Sequence, residues 1–214
     1  MNSLNLKKNA SSIWPLAIFM VIFYILDALR IYLNLAFIYV DRLVVWTLPM
    51  LLFIIFVLHK NPLKYLKLST NIKKGIFWGI IISAVHALIH VVFHCFRSGN
   101  VTVHWTGFHD FYEYVLMAGL IEEPLFRGFA LGYLSNIYSF KTANSISSLL
   151  FLLAHIAFWI SSNKFVIPLP LVLYDFAFIF VFGLLEGFFL RKTNSLWICI
   201  IHHTTNNFLA AMVR

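Results

Sequence analysis

Seven stretches of this chain are long apolar runs, at about 13–38, 43–58, 75–96, 112–134, 142–160, 169–190 and 196–213. An α-helix rises about 1.5 Å per residue, so roughly 20 such residues cross a hydrocarbon layer about 30 Å thick. The runs predict an all-α fold: a polytopic membrane helix bundle of about seven transmembrane helices, built as a single domain over 1–214. Composition supports this, with 61% hydrophobic residues, 11% charged and a mean hydropathy of +0.86. A soluble domain is about half apolar and a quarter charged. The second run is short, and the first carries Asp27 and Arg30, spaced for an internal ion pair. Either could be tilted, broken or partly interfacial.

The formal net charge of +8 would suggest nucleic acid in a soluble protein. In a membrane protein it reflects lysines at the cytoplasmic face, so no nucleic-acid partner is expected. With the N-terminus in the cytoplasm, that side holds Lys7, Lys8, Lys60, Lys64, Lys67, Lys73, Lys74, Lys141, Arg191 and Lys192. The opposite side holds only Arg42, Arg97, Lys164 and Arg214. No small-residue cleavage site follows the first run, which continues Asp27-Ala28-Leu29-Arg30, so it is read as a retained span rather than a signal peptide. Cys95 and Cys199 show neither CxxC spacing nor a disulfide framework. The linker from Lys60 to Lys74, with five lysines, is the clearly polar one and suits anionic lipid headgroups.

Against this background, Leu120-Ile121-Glu122-Glu123-Pro124-Leu125-Phe126-Arg127-Gly128 stands out. A carboxylate near a bilayer centre costs roughly 3 kcal/mol or more, so a pair requires partners or a water-filled cavity. Adjacent helical residues point about 100° apart. Arg127, four residues after Glu123, is placed to pair with it, leaving Glu122 to face elsewhere and hold water. Pro124 cannot donate to the Leu120 carbonyl and is expected to kink the helix there.

Two further elements carry polar groups inside apolar runs. One is Phe151-Leu152-Leu153-Ala154-His155; the other is His202-His203-Thr204-Thr205-Asn206-Asn207. In the latter, His203 with Asn207 and His202 with Asn206 are each four apart, on faces about 100° from one another. Singly, each element could be polar glue between helices. By helical rise, Glu122, His155, His203 and Asn207 all fall roughly 8–15 Å from the outer ends of their spans, so one shared cavity is allowed.

Glu-Glu-x-x-x-Arg, Phe-x-x-x-His and His-x-x-x-Asn, in that order, resemble the CAAX protease and bacteriocin-processing (CPBP, or Abi) family of intramembrane peptidases. That family includes the type II CAAX prenyl endopeptidases. The likeness covers a motif-bearing core at about 112–210, with the flanks Ser147-Ser148-Leu149-Leu150-Phe151, Gly183-Leu184 and Thr193-Asn194-Ser195-Leu196. It implies a catalytic centre of Glu122, His155, His203 and Asn207, supported by Glu123 and Arg127. The flanks of the last motif favour His203 and Asn207 over His202 and Asn206.

The expected chemistry is peptide hydrolysis, with Glu122 and neighbouring His155 activating water and His203 and Asn207 donating to the oxyanion. No serine or cysteine nucleophile is required; Ser147 and Ser148 are read as packing residues. No cofactor is favoured. A zinc-dependent version would use Glu122, His155 and His203 as metal ligands, but an amide such as Asn207 suits the metal-free site better. Expected partners are the lipid bilayer and membrane-associated peptide or protein substrates. The small size and minimal loops point to a bacterial cell membrane location, and the resemblance implies roles such as peptide maturation or bacteriocin immunity. Alternatives are a non-catalytic immunity or partner-binding protein and a proton-coupled transporter, although the paired broken helices and repeats of transporters are missing. His86, His90 and His94 share one face of the third span and are expected to line the polar side of the bundle, with metal or proton binding as the other use. Asp175 and Glu186 are read as interhelical hydrogen-bonders or cavity lining.

Overall fold

The computed structural model describes residues 12–33 and 43–213. Lys7, Lys8, Arg42 and Arg214, all counted in the charge asymmetry, lie outside these, as does the 34–38 end of the first apolar run. The described residues form α1 (Trp14–Tyr32), α2 (Leu43–Val57), α3 (Ile72–Ser98), α4 (108–134), α5 (Phe140–Ser161), α6 (Leu169–Thr193) and α7 (Trp197–Met212), with short helical turns between them. The protein is thus an all-helical bundle. By length and hydropathy, α1, α3, α5 and α6 can each cross a membrane unaided. The others depart from an ideal span: α2 is shorter, α4 is interrupted by π-helical stretches, and α7 has 16 residues.

Local chemistry sets the helix ends. Ser139 caps α5 by accepting the Thr142 N–H at 3.4 Å, satisfying one of the donors that a first turn leaves open. Gly99 ends α3 at φ +76°, in the left-handed region where a glycine costs least. At Pro124, where a kink is expected, the helix departs from regular α geometry. The backbone stays helical there (φ −55°, ψ −42°), and Pro124–Ala130 widens into a π-helix. A wider turn accommodates the missing N–H without ending the rod.

α3 runs parallel to α7 and packs closely on it. Gly75, Gly79 and Ser83, one turn apart, are buried on the α3 face that meets α7. A Cβ on Gly79 would lie 3.1 Å from Ile201 Cβ and 3.3 Å from Ile198 Cα. Small residues at this spacing let membrane helices gain dispersion contact where no hydrophobic drive exists. A second cluster is aromatic: Phe23 packs edge-on to Trp46 at 4.9 Å, Phe19 to Phe129 at 5.0 Å, and Phe126 to Phe151 at 5.3 Å. It joins α1, α2, α4 and α5.

The polar segments gather at one end of the bundle. Asn71 Nδ2 donates to the Thr193 carbonyl at 3.1 Å, Lys74 Nζ to the Lys192 carbonyl at 3.1 Å, and Tyr133 Oη to the Ser12 carbonyl at 2.8 Å. The start of α1 therefore lies at the same end as the lysine-rich linker. The Asp27–Arg30 pair forms within α1 at 2.9 Å, and Trp46 Nε1 of α2 donates to the same carboxylate oxygen at 2.7 Å.

Candidate active site

Three helix faces build the site. On α5, Ser147, Phe151 and His155 recur every four residues and turn towards α4. Ser147 Oγ donates to the Phe126 carbonyl at 2.7 Å, and Ser148 Oγ to Asn144 at 2.8 Å; both serines are structural, as expected. The Phe151 ring lies 4.1 Å beneath the Arg127 guanidinium. His155, one turn further, donates through Nδ1 to the Phe151 carbonyl at 2.9 Å, the tautomer that this bond selects. Its Nε2 is thereby left as an acceptor.

On α4, Gly119 allows close approach to α7. A Cβ there would stand 2.6 Å from Thr204 Oγ1 and 3.1 Å from the Ile200 carbonyl. This contact brings Glu122 and Glu123, both buried, against His203. Glu123 Oε1 accepts from His203 Nδ1 at 2.7 Å, while Glu122 Oε2 lies 3.8 Å from His203 Nε2. The adjacent carboxylates thus approach the two nitrogens of one imidazole. The sequence had assigned Glu123 to Arg127 alone. That pair exists, at 3.5 Å, but as a charge contact, since Glu123 Oε2 and the Arg127 nitrogens make no hydrogen bond. Arg127 is 1% exposed, enclosed between the Phe151 ring and Gly183 of α6.

The neighbouring histidines on α7 diverge as helical geometry requires. His203 and Asn207 line a cavity of about 380 Å³ together with Glu122 and His155. Asp27, Arg30 and Tyr114 contribute to the same wall. Asn207 Nδ2 donates to the Tyr114 carbonyl at 2.9 Å, and its Oδ1 accepts from Asn206 Nδ2 at 3.2 Å. His202 instead faces α3 and α6. Its Nδ1 meets Glu186 Oε1 in a short bond, and its Nε2 pairs with His86 Nδ1 at 3.1 Å. So the register falls on His203 and Asn207 as the cavity pair. Of the α3 histidines, His86 meets His202 at 3.1 Å, and the His90 and His94 rings lie 4.6 Å apart, tilted by 34°. Glu186 is an interhelical hydrogen-bonder and does not line this cavity.

Among the described residues, the ligand-type trio whose donor atoms lie within 4.8 Å of one another is Glu123, Glu186 and Cys199. Arg127 already supplies the positive charge beside Glu123. Glu122, His155 and His203, the zinc set expected as the alternative, line the same cavity, with Glu122 Oε2 3.8 Å from His203 Nε2.

The residues missed by sequence reasoning are those whose side chains are small or distant in the chain: Gly119, Tyr114 through its carbonyl, and the Asp27–Arg30 wall. Gly119 had a signal, a small residue one turn before Glu123; Asp27 and Arg30 were read as an ion pair within the first span, but nothing in the sequence tied them to this cavity.

Comparison with curated proteins and with solved structures returns no match. Residues 104–209 match the family described as type II CAAX prenyl endopeptidase Rce1-like. That span contains α4, α5 and α6 and all but the last residues of α7, and with them both carboxylates, Arg127, His155, His203 and Asn207. Through this stretch the chain belongs to the Rce1-like family of type II CAAX prenyl endopeptidases.

Proposed function

We propose that the protein is an intramembrane endopeptidase that hydrolyses peptide bonds of membrane-associated proteins or peptides with a water activated by Glu122. One observation carries this reading: Glu122, His155, His203 and Asn207, from three helices, line a single cavity. Glu122 accepts a proton as water oxygen adds to the scissile carbonyl carbon. His155, with Nδ1 committed to Phe151, offers Nε2 to hold that water. In its doubly protonated form His203 serves both sides, giving Nδ1–H to Glu123 and Nε2–H to the oxyanion. One Nδ2 hydrogen of Asn207 goes to Tyr114, and the other can join His203 at the oxyanion. When the tetrahedral adduct collapses the C–N bond breaks, Glu122 returns its proton to the leaving nitrogen, and an acid and an amine result. No step is routed through a metal.

The location that suits this reading is a bacterial cell membrane with the N-terminus in the cytoplasm, and the roles it admits are peptide maturation and bacteriocin immunity. The test compares membrane and secreted peptides from cells carrying wild type or Glu122→Gln. Peptides that accumulate uncut only with the variant name the substrate; full biological activity of the variant refutes hydrolysis and returns the non-catalytic immunity protein. Cleavage by purified protein should withstand chelators, and loss on chelation with recovery on zinc would replace the metal-free mechanism.

A further inference from the structure

At the lysine-rich end of the bundle, a cavity of about 460 Å³ lies between the linker, the end of α4, the start of α5 and the end of α6. Three cations line it: Lys67 from the linker, Arg127 from α4 and Arg191 from α6. Among its described lining residues there is no carboxylate. Arg127 is 1% exposed, and although Glu123 is its charge partner, none of its side-chain nitrogens has a hydrogen-bond partner. A buried guanidinium with its N–H donors unmet is costly, and oxygen acceptors that reach it relieve the cost. Tyr65 Oη, on the linker wall, is likewise buried without a partner. Lys67 is held at φ +60°, where glycine or asparagine costs less. Its N–H donates to the Lys64 carbonyl and its carbonyl accepts from the Leu196 N–H, both at 3.2 Å, so this lysine is anchored at its backbone. Arg191 is steadied by the Phe140 ring, 4.3 Å beneath its guanidinium.

We propose that this cavity binds a phosphate group, carried either by an anionic phospholipid or by a soluble phosphate ester. Phosphate sets several acceptor oxygens around one negative centre, which matches two guanidinium forks, an ammonium and a phenol drawn from three segments. The volume falls within the roughly 300–1,000 Å³ of ligand sites. It exceeds what a bare phosphate ion fills, leaving room for an attached glycerol. Position favours the lipid. α5 and α6 are long and apolar enough to cross the hydrocarbon, so Phe140 at the start of α5 and Arg191 near the end of α6 sit at headgroup level. Arg191 is exposed and Arg127 enclosed, so the cavity leads from the headgroup layer into the bundle. It is a defined site and not the linker acting as a charged surface, since Lys60, Lys64, Lys73 and Lys74 do not line it.

The test titrates the full chain in maltoside micelles with phosphatidylglycerol, with diacylglycerol, or with glycerol 3-phosphate in solution, and reads bound ligand by native mass spectrometry. It needs no turnover, so it stands or falls apart from the peptidase reading. Arg191→Gln and Lys67→Gln should each weaken phosphate binding at least about tenfold, the loss expected for one charge-assisted hydrogen bond. Gly132→Leu should weaken it as much with every cation in place, because it fills the cavity; a Cβ there meets only the Tyr65 ring and hydroxyl, at 3.8 Å. Lys64→Gln makes the same charge change at an exposed residue outside the cavity and should stay within about twofold. Helical circular dichroism checks each fold, and exposed Arg191 keeps the test decisive even if Gly132→Leu misfolds. This pattern with phosphatidylglycerol bears out the site with a lipid as the source; the same pattern with glycerol 3-phosphate alone bears it out with a soluble ester. Equal binding of diacylglycerol overturns the site. So does a loss with Lys64→Gln that matches Arg191→Gln, unchanged binding by folded Gly132→Leu, or no binding of either phosphate ligand.

Discussion

Glu123 is the residue whose removal most sharply separates what holds this bundle together from what its cavity does. It is 0% exposed and faces two groups, Arg127 Nε at 3.5 Å and His203 Nδ1 at 2.7 Å. Glu123→Gln keeps the volume and an acceptor oxygen but leaves the Arg127 guanidinium without its nearest countercharge. Breaking one side of a buried ion pair costs about 3–5 kcal/mol, because the orphaned charge stays desolvated. The Phe151 ring, at 4.1 Å, keeps its cation–aromatic contact in the variant, so the lower part of that range is expected. Arg127→Met should cost a similar amount by orphaning the carboxylate. The double variant removes both charges, and apolar replacement of a buried pair is often close to neutral. It should be more stable than the sum of the singles by roughly 2 kcal/mol or more. Activity should not follow stability: the double variant still lacks the carboxylate on His203, so hydrolysis should stay low even as the fold recovers. Reversible unfolding in mixed detergent micelles measures the three stabilities, and cleavage of a natural peptide measures the activity. Additive stabilities, or a Glu123→Gln protein as stable as wild type, would refute the claim that this pair is desolvated and coupled.

Two further outcomes follow from the geometry. Gly119→Val places branched carbon where Thr204 Oγ1 and the Ile200 carbonyl already stand at 2.6 and 3.1 Å from a bare Cβ. α4 and α7 must separate, and since a 1 Å misplacement can cost about a hundredfold in rate, cleavage should fall by that order with the helical circular dichroism unchanged; retained activity would mean that the approach does not position Glu122. In the linker, burial lowers the Lys67 ammonium from its ordinary value. The folded state then sheds this proton before the unfolded one does, so stability should rise as pH climbs from the folded value towards the ordinary lysine range, and Lys67→Gln should flatten that slope.

Much of the architecture was legible because the bilayer imposes it. Apolar runs long enough to span must be helical to satisfy their own backbone, and the seven runs match α1 to α7 over the described residues. The Asp27–Arg30 pair and the Glu123–Arg127 pair were readable because one turn of helix fixes which side chains can meet. The small-residue stripe Gly75, Gly79 and Ser83 was equally periodic, but apolar spacing draws no notice beside histidines and carboxylates. Pro124 was legible as a local disturbance of α4; that the disturbance takes the form of a π-helical stretch was not written in the sequence.

The sequence alone determined that the chain is a membrane bundle, that its C-terminal half carries three ordered polar motifs, and that His203 pairs with Asn207 or His202 with Asn206. Tertiary packing decided which of these faced a cavity, gave Glu123 a second partner in His203, and enlisted Asp27 and Arg30 from a distant helix. The reason is that helical periodicity is a property of one segment, whereas the rotation of each helix about its axis is set by its neighbours. At Gly119, Gly79 and Gly183, the absence of a side chain let those neighbours close in.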